Sequence, residues 1–159
     1  MIRLNLYQDK KNKEEHIDIY YSEMKPLIRK VIDVVHEEKP VLMGTVDGEK
    51  VLLKIEQIYY MDTVDKRVYA YTREKVYQLH HSLAQLEEML CDYGYIRINK
   101  SNLVNIFKIQ KIKPEANMRV GAVFDNGEKL YINRSYKKCF NDYLIKMKGV
   151  VGNEKGSHN

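Results

Sequence analysis

The turn Asn99-Lys100-Ser101-Asn102 places two amides, an ammonium and a hydroxyl between a strand-like stretch, Tyr95-Ile-Arg-Ile98, and the apolar pair Leu103-Val104. Short side chains of this kind offer hydrogen-bond donors to phosphate oxygens and to base edges at once. A second such turn, Asn133-Arg134-Ser135, stands where a strand pattern gives way to a helix pattern, and a third, Thr63-Val64-Asp65-Lys66-Arg67, lies between two strand patterns. Each alone is also an ordinary capping or hairpin turn. The charge distribution joins them. Residues 97–148 carry twelve Lys and Arg against four Asp and Glu, whereas 1–40 balance at eight each and 41–96 carry six against nine. All of the excess positive charge therefore sits in one stretch, which points to a polyanion such as nucleic acid.

Enzyme chemistry finds no comparable footing. The five histidines, His16, His36, His80, His81 and His158, lack the HExxH or related spacing that sets two imidazoles on one metal. Cys91 ends a helical pattern, where the helix dipole disfavours a thiolate. Neither a GxGxxG nor a P-loop occurs. The expectation is a protein without catalytic residues, metal or cofactor. The thirteen tyrosines, among them Tyr59-Tyr60 and Tyr69 and Tyr71, have two readings: platforms for stacked bases, or the wet side or rim of a sheet, which is the commoner use.

The turns need strands to hold them. From Val41 onward short strands fit Val41–Val46, Lys50–Ile55, Ile58–Met61, Val68–Thr72, Val76–Leu79, Tyr95–Ile98, Ile106–Ile112, Val120–Phe124 and Lys129–Ile132. Asp47-Gly48 and Asn126-Gly127 favour primed turns and so predict two hairpins. Ser82-Leu-Ala-Gln85 is a capping box before Leu86, Met89 and Leu90, and Gly94 suits the turn back to extended chain. A last helix fits Ser135–Met147, with Tyr136, Phe140, Tyr143, Leu144 and Met147 on one face. Ahead of this part, alternation at Ile2, Leu4, Leu6 and at Ile17, Ile19, Tyr21 predicts two short strands. A helix from an N-cap at Ser22 through Val35 then ends near Lys39-Pro40. The organisation read from the chain is a β-β-α segment over 1–40, a β-rich domain over 41–148 and a frayed tail over 149–159.

At 159 residues, with 44% hydrophobic and 31% charged residues, the chain suits one well-buried core and an appendage. No apolar run approaches the ~18 residues of a membrane span, and the start lacks a signal-peptide core. Two cysteines cannot form a disulfide framework. The chain reads as intracellular and reduced; secreted, membrane and collagenous classes are excluded.

The blocks Glu56-Gln-Ile-Tyr-Tyr-Met61, Val68-Tyr-Ala-Tyr71, Ser82-Leu-Ala-Gln-Leu-Glu-Glu-Met-Leu90, Tyr95-Ile-Arg-Ile-Asn-Lys-Ser-Asn-Leu-Val-Asn105, Asp125-Asn-Gly-Glu128 and Ile132-Asn-Arg-Ser-Tyr136, in this order, resemble the LytTR family of bacterial DNA-binding domains. The resemblance implies a mainly β (α+β) fold of elongated antiparallel sheets with short helices, here preceded by the small β-β-α segment. Loops rather than a recognition helix would enter the grooves. Carried over, the base-reading positions are Lys66 or Arg67, Lys100 and Arg134, the last matching the arginine of the family's Val-Ser-Arg block. Asn99, Ser101, Asn133, Ser135, Lys137 and Lys138 are then candidates for phosphate contacts. Asn99 stands where many members have His, and Asn133 where many have Ser, so the sequence read can differ.

The resemblance implies a cytoplasmic bacterial transcription regulator that binds specific duplex DNA, as a homodimer on paired half-sites. Many relatives carry a receiver domain of about 120 residues ahead of this part, which 40 residues cannot hold. The chain therefore looks like the stand-alone members, whose regulation is attributed to a protein partner, sometimes a membrane protein. The rival is a protein-interaction module that uses the β-β-α segment and does not bind DNA; a small-ligand sensor is a weaker third.

Overall fold

The computed structural model describes residues 2–11, 16–35 and 39–149. The chain divides into two units, residues 1–38 and residues 39–159. In the first, helix α1 spans Pro26–Val35, starting on a proline whose missing N–H costs nothing at that position. The N-terminus of α1 therefore lies beyond the expected cap at Ser22. The stretch towards Lys39-Pro40, where this helix was expected to end, falls partly outside the described residues. The two expected N-terminal strands do not form: residues 2–9 and 16–21 have no ladder partner. Leu4 and Leu6 are 78% and 84% exposed, and a two-stranded ribbon with nothing packed on it is marginal in water. None of the apolar residues of α1 is buried.

Among its described residues the second unit holds ten strands: β1 Val41–Val46, β2 Glu49–Lys54, β3 Ile58–Val64, β4 Arg67–Thr72, β5 Val76–Leu79, β6 Tyr95–Arg97, β7 Asn102–Asn105, β8 Ile109–Pro114, β9 Val120–Phe124 and β10 Lys129–Ile132. Helix α2 covers Leu83–Leu90 and helix α3 covers Lys137–Lys148. Seven strands form one sheet in the order β2-β1-β5-β4-β3-β7-β6, and three form another in the order β10-β9-β8. Every pairing is antiparallel. The tail from residue 150 lies outside the described residues.

Strand β3 shows why two layers are needed. Ile58-Tyr59-Tyr60-Met61 is a continuous apolar run, and an irregularity in its pairing with β4 between Ile58 and Tyr60 interrupts the two-residue alternation, so that Ile58 and Met61 share one face and Tyr59 and Tyr60 the other. Ile58 and Met61 join Leu86 and Leu90 of α2 in one core, while Tyr59 joins Phe124, Ile132 and Phe140 in a second core under the small sheet and α3. Strand β7 divides in the same way, Leu103 to the first core and Val104 to the second. Tyr59 and Tyr60 therefore face the interior between the two sheets rather than a wet rim. Tyr59 is 3% exposed, and Tyr60 stacks on Tyr71 at 4.5 Å between ring centroids. Burial pushes the Tyr60 hydroxyl up to about 12.

Local chemistry explains the connections. Asp47 and Gly48 both have positive φ, 51° and 76°, the primed turn that a tight hairpin requires. The second hairpin departs from expectation. Gly127 alone is left-handed, with φ of 87°, and the N–H of Phe124 bonds the carbonyl of Glu128 at 2.8 Å. This is a three-residue loop whose left-handed residue forms the bulge, so Asn126 keeps an ordinary backbone and its Oδ1 accepts from the N–H of Glu128 at 3.0 Å. The capping box of α2 closes in both directions, Gln85 N–H to Ser82 Oγ at 3.2 Å and Ser82 N–H to Gln85 Oε1 at 2.9 Å. The strand expected from Ile106 begins at Ile109 instead. Asn105 Oδ1 accepts from the N–H of Phe107 at 3.0 Å and winds Ile106–Lys108 into a 3₁₀ turn.

Candidate nucleic-acid interface

Two main-chain hydrogen bonds gather the three polar turns at one end of the second unit. Strand pairing of Asp62 with Asn102 sets β3 beside β7, and the N–H of Thr63 donates to the carbonyl of Ser101 at 2.9 Å. The N–H of Asn133 donates to the carbonyl of Ile98 at 2.8 Å. The turn between β6 and β7 thus lies between the β3–β4 hairpin and the entry to α3.

Two of these turns share one construction. In Asn99-Lys100-Ser101 the Oδ1 of Asn99 accepts from the N–H of Ser101 at 2.9 Å and from its hydroxyl at 3.1 Å. In Asn133-Arg134-Ser135 the Oδ1 of Asn133 accepts from the N–H of Ser135 at 3.2 Å and from its hydroxyl at 3.3 Å. Each asparagine folds the chain over itself, so the basic residue between lies at the tip. Lys100 and Arg134 are both exposed. Asn99 goes further: its Oδ1 also accepts from the N–H of Asn102 at 2.8 Å, and its Nδ2 donates to Asn102 Oδ1 at 2.8 Å. These bonds make Asn99 the organiser of its loop. Arg97 holds the same loop from below, donating to the carbonyl of Lys100 at 3.1 Å while its Nε pairs with Glu87 at 2.8 Å.

The third turn presents Lys66 differently. Asp65 and Lys66 have φ of 49° and 66°, a primed turn with lysine where glycine is the usual choice. Left-handed backbone costs a non-glycine residue about 1 kcal/mol. Lys66 and Arg67 are exposed. Among the described residues, Lys66, Arg67, Lys100, Arg134 and Lys138 make no ion pair with a carboxylate. Lys137 makes none either, but its ammonium donates to the carbonyl of Met118 at 2.8 Å.

Asp62 stands at the foot of the third turn, paired across the sheet with Asn102. Burial raises its pKa above the usual aspartate value, while the N–H of Thr63 and the side chains of Ser101 and Asn102 pull it down. Not every residue of the 95–105 block faces outward. Tyr95, Ile98, Asn102, Leu103, Val104 and Asn105 are buried, and Asn105 Nδ2 donates to the carbonyl of Ile58 at 3.0 Å. Much of that block is scaffold.

Sequence patterning assigned no role to the connection between β8 and β9. Glu115–Arg119 closes through the N–H of Glu115 on the carbonyl of Arg119 at 2.8 Å, with Asn117 and Met118 left-handed at φ of 63° and 59°. Its only advance signal is Pro114, which ends the β8 ladder. At the opposite end of the large sheet an open cleft of about 370 Å³ is lined by Gln57, Tyr59, Thr72, Arg73, Lys108 and Asp125. There Tyr59 donates to Asp125, and Arg73 lies 3.8 Å from the same carboxylate.

The LytTr DNA-binding domain family matches residues 48–145, the stretch that contains the three turns. The chain belongs to the LytTR DNA-binding domain family. It is similar to the LytTr DNA-binding domain of a methyl-accepting/DNA response regulator from Bacillus cereus, with a TM-score of 0.63 and 25% identity over 67% of this chain and 98% of that one. Over 146 residues, 91% of this chain and 99% of the relative, it is 29% identical to an HTH-type transcriptional regulator of Staphylococcus aureus strain bovine RF122 / ET3-1. A regulator so named in strain NCTC 8325 / PS 47 is 27% identical over the same span. In this LytTR chain five strands separate α2 from α3, so residues 39–149 contain no helix-turn-helix. Among the described residues no helix is long and apolar enough to cross a membrane.

Proposed function

We propose that this LytTR protein is a transcription regulator that reads duplex DNA through the three gathered turns. The observation that carries this is the repeated asparagine–cation–serine turn, which presents Lys100 and Arg134 outward from one edge, with Lys66 and Arg67 on the adjoining hairpin. Arg134 donates two hydrogen bonds to O6 and N7 of a guanine, and Lys66 or Arg67 and Lys100 read neighbouring base edges. Lys138, the hydroxyls of Ser101 and Ser135 and the free Nδ2 of Asn133 contact phosphates and set register, while Asn99 and Lys137 act by shaping their loops. Two molecules occupy paired half-sites.

Selection from a random duplex pool followed by fluorescence anisotropy across a salt series tests this. The expected result is selective binding that weakens steeply with salt. Absence of binding below about 10⁻⁴ M, the weak end of non-specific affinity, refutes it. A protein-interaction role for residues 1–38 is favoured by one observation, the outward apolar residues of α1, with Leu27 55% and Val34 73% exposed. A regulatory protein partner, or a second copy, would bind there.

A further inference from the structure

The β8–β9 connection belongs to the same end of the unit as the three turns. Ile132 pairs with Val120, which sets Arg119 beside Asn133 and the Arg134 turn. The loop is anchored on both sides: Lys129 pairs with Glu115 at 2.7 Å, and Lys137 donates to the carbonyl of Met118 at 2.8 Å. Arg134 and Lys137 lie three positions apart on one continuous helical stretch, so they project from the same face. The anchored loop therefore holds Met118, 75% exposed, beside the turn that carries the guanidinium. A bare thioether chain held in water at the rim of a cationic surface has an apolar counterpart among the base edges of the major groove, the 5-methyl group of thymine.

We propose that Met118 is a fourth DNA contact, lying against a thymine methyl in the groove that Arg134 enters, with Lys137 as its positioning residue. The inference rests on the DNA reading above. It adds an apolar, thymine-selecting element to a site that is otherwise cationic.

The test uses the full chain and the selected duplex. Wild type, Met118→Ala, Arg134→Ala and Lys137→Ala are titrated by anisotropy against that duplex, a random duplex, and copies in which each thymine in turn is replaced by deoxyuridine. Met118 is exposed, so an unchanged melting curve is expected for Met118→Ala. Met118→Ala should weaken the selected duplex roughly fourfold, the worth of burying one methyl group, and leave the random duplex unchanged. One deoxyuridine should cost wild type the same factor and cost Met118→Ala nothing. Lys137→Ala should lose that deoxyuridine sensitivity, and Lys137→Arg should restore it. If Met118→Ala binds every duplex as wild type does while Arg134→Ala loses selectivity, the inference fails and the DNA reading stands. A loss in Met118→Ala that is equal on selected and random duplexes, or insensitive to every deoxyuridine, overturns the thymine contact. Lys137→Ala with full deoxyuridine sensitivity overturns the positioning role. Wild type that selects no duplex overturns both readings.

Discussion

Replacing Asn99 with alanine removes four hydrogen bonds from a loop whose neighbour Lys100 makes none through its side chain. The Ser101 hydroxyl can turn to water and contributes little. The N–H groups of Ser101 and Asn102 and the Asn102 amide, in a residue 8% exposed, lose partners that water reaches poorly. At about 1 kcal/mol for each such bond the loss is about 2–3 kcal/mol. For a unit of this size that lowers the melting temperature by about 10 °C. Asn133→Ala, which removes the same kind of cap from an exposed turn, costs only about 0.5–1 kcal/mol. Lys100→Ala stays within about 0.5 kcal/mol of wild type and loses affinity for the selected duplex instead. Urea unfolding of the three variants, compared by midpoint at constant slope, reads the difference directly. A midpoint for Asn99→Ala equal to wild type, or equal to that of Asn133→Ala, refutes the assignment of Asn99 as the organiser of its turn.

Three further outcomes follow from other parts of the second unit. Arg134→Ala should lose about 1–3 kcal/mol on the selected duplex and far less on random DNA, whereas Lys138→Ala should weaken both alike and reduce the salt slope by about 1; equal losses for Arg134→Ala on both duplexes remove it from the readout. Burial holds the Asp62 carboxyl above its unfolded value, so its contribution to stability is complete below that value and is lost as pH rises through the folded one. Asp62→Asn should therefore flatten the melting temperature against pH above about pH 4, and a pH slope identical to wild type contradicts this. Gly94 ends the α2 region with φ of 94°, and a Cβ there would lie 2.4 Å from the Phe107 ring. Gly94→Ala should cost roughly 1–3 kcal/mol in urea unfolding, and a neutral result would mean that the ring simply moves aside.

Features decided by neighbours in sequence were legible without the fold. The period-two runs, the Ser82–Gln85 box, the Asp47-Gly48 turn and the basic tips Lys66, Lys100 and Arg134 depend on a few adjacent residues, whose backbone preferences act whatever lies elsewhere. Features decided by distant partners were not. The alternation at Ile2–Leu6 and Ile17–Tyr21 reads as strands, yet a strand needs a ladder partner, and none is present among the described residues. Tyr59 and Tyr60 read as the rim of a sheet, yet the small sheet covers that face, burying Tyr59 and half-burying Tyr60. Lys137 reads as a candidate phosphate contact, and its bond to the carbonyl of Met118, 19 residues earlier, exists only in the folded chain. The convergence of the three turns, separated by more than thirty positions each, depends on two main-chain hydrogen bonds that exist only once β3, β7 and β10 have been brought together. Residue types set which groups are available to meet DNA, and long-range pairing decides which of them share an edge, because a hydrogen bond or an apolar contact across the chain forms only after the intervening loop has been closed.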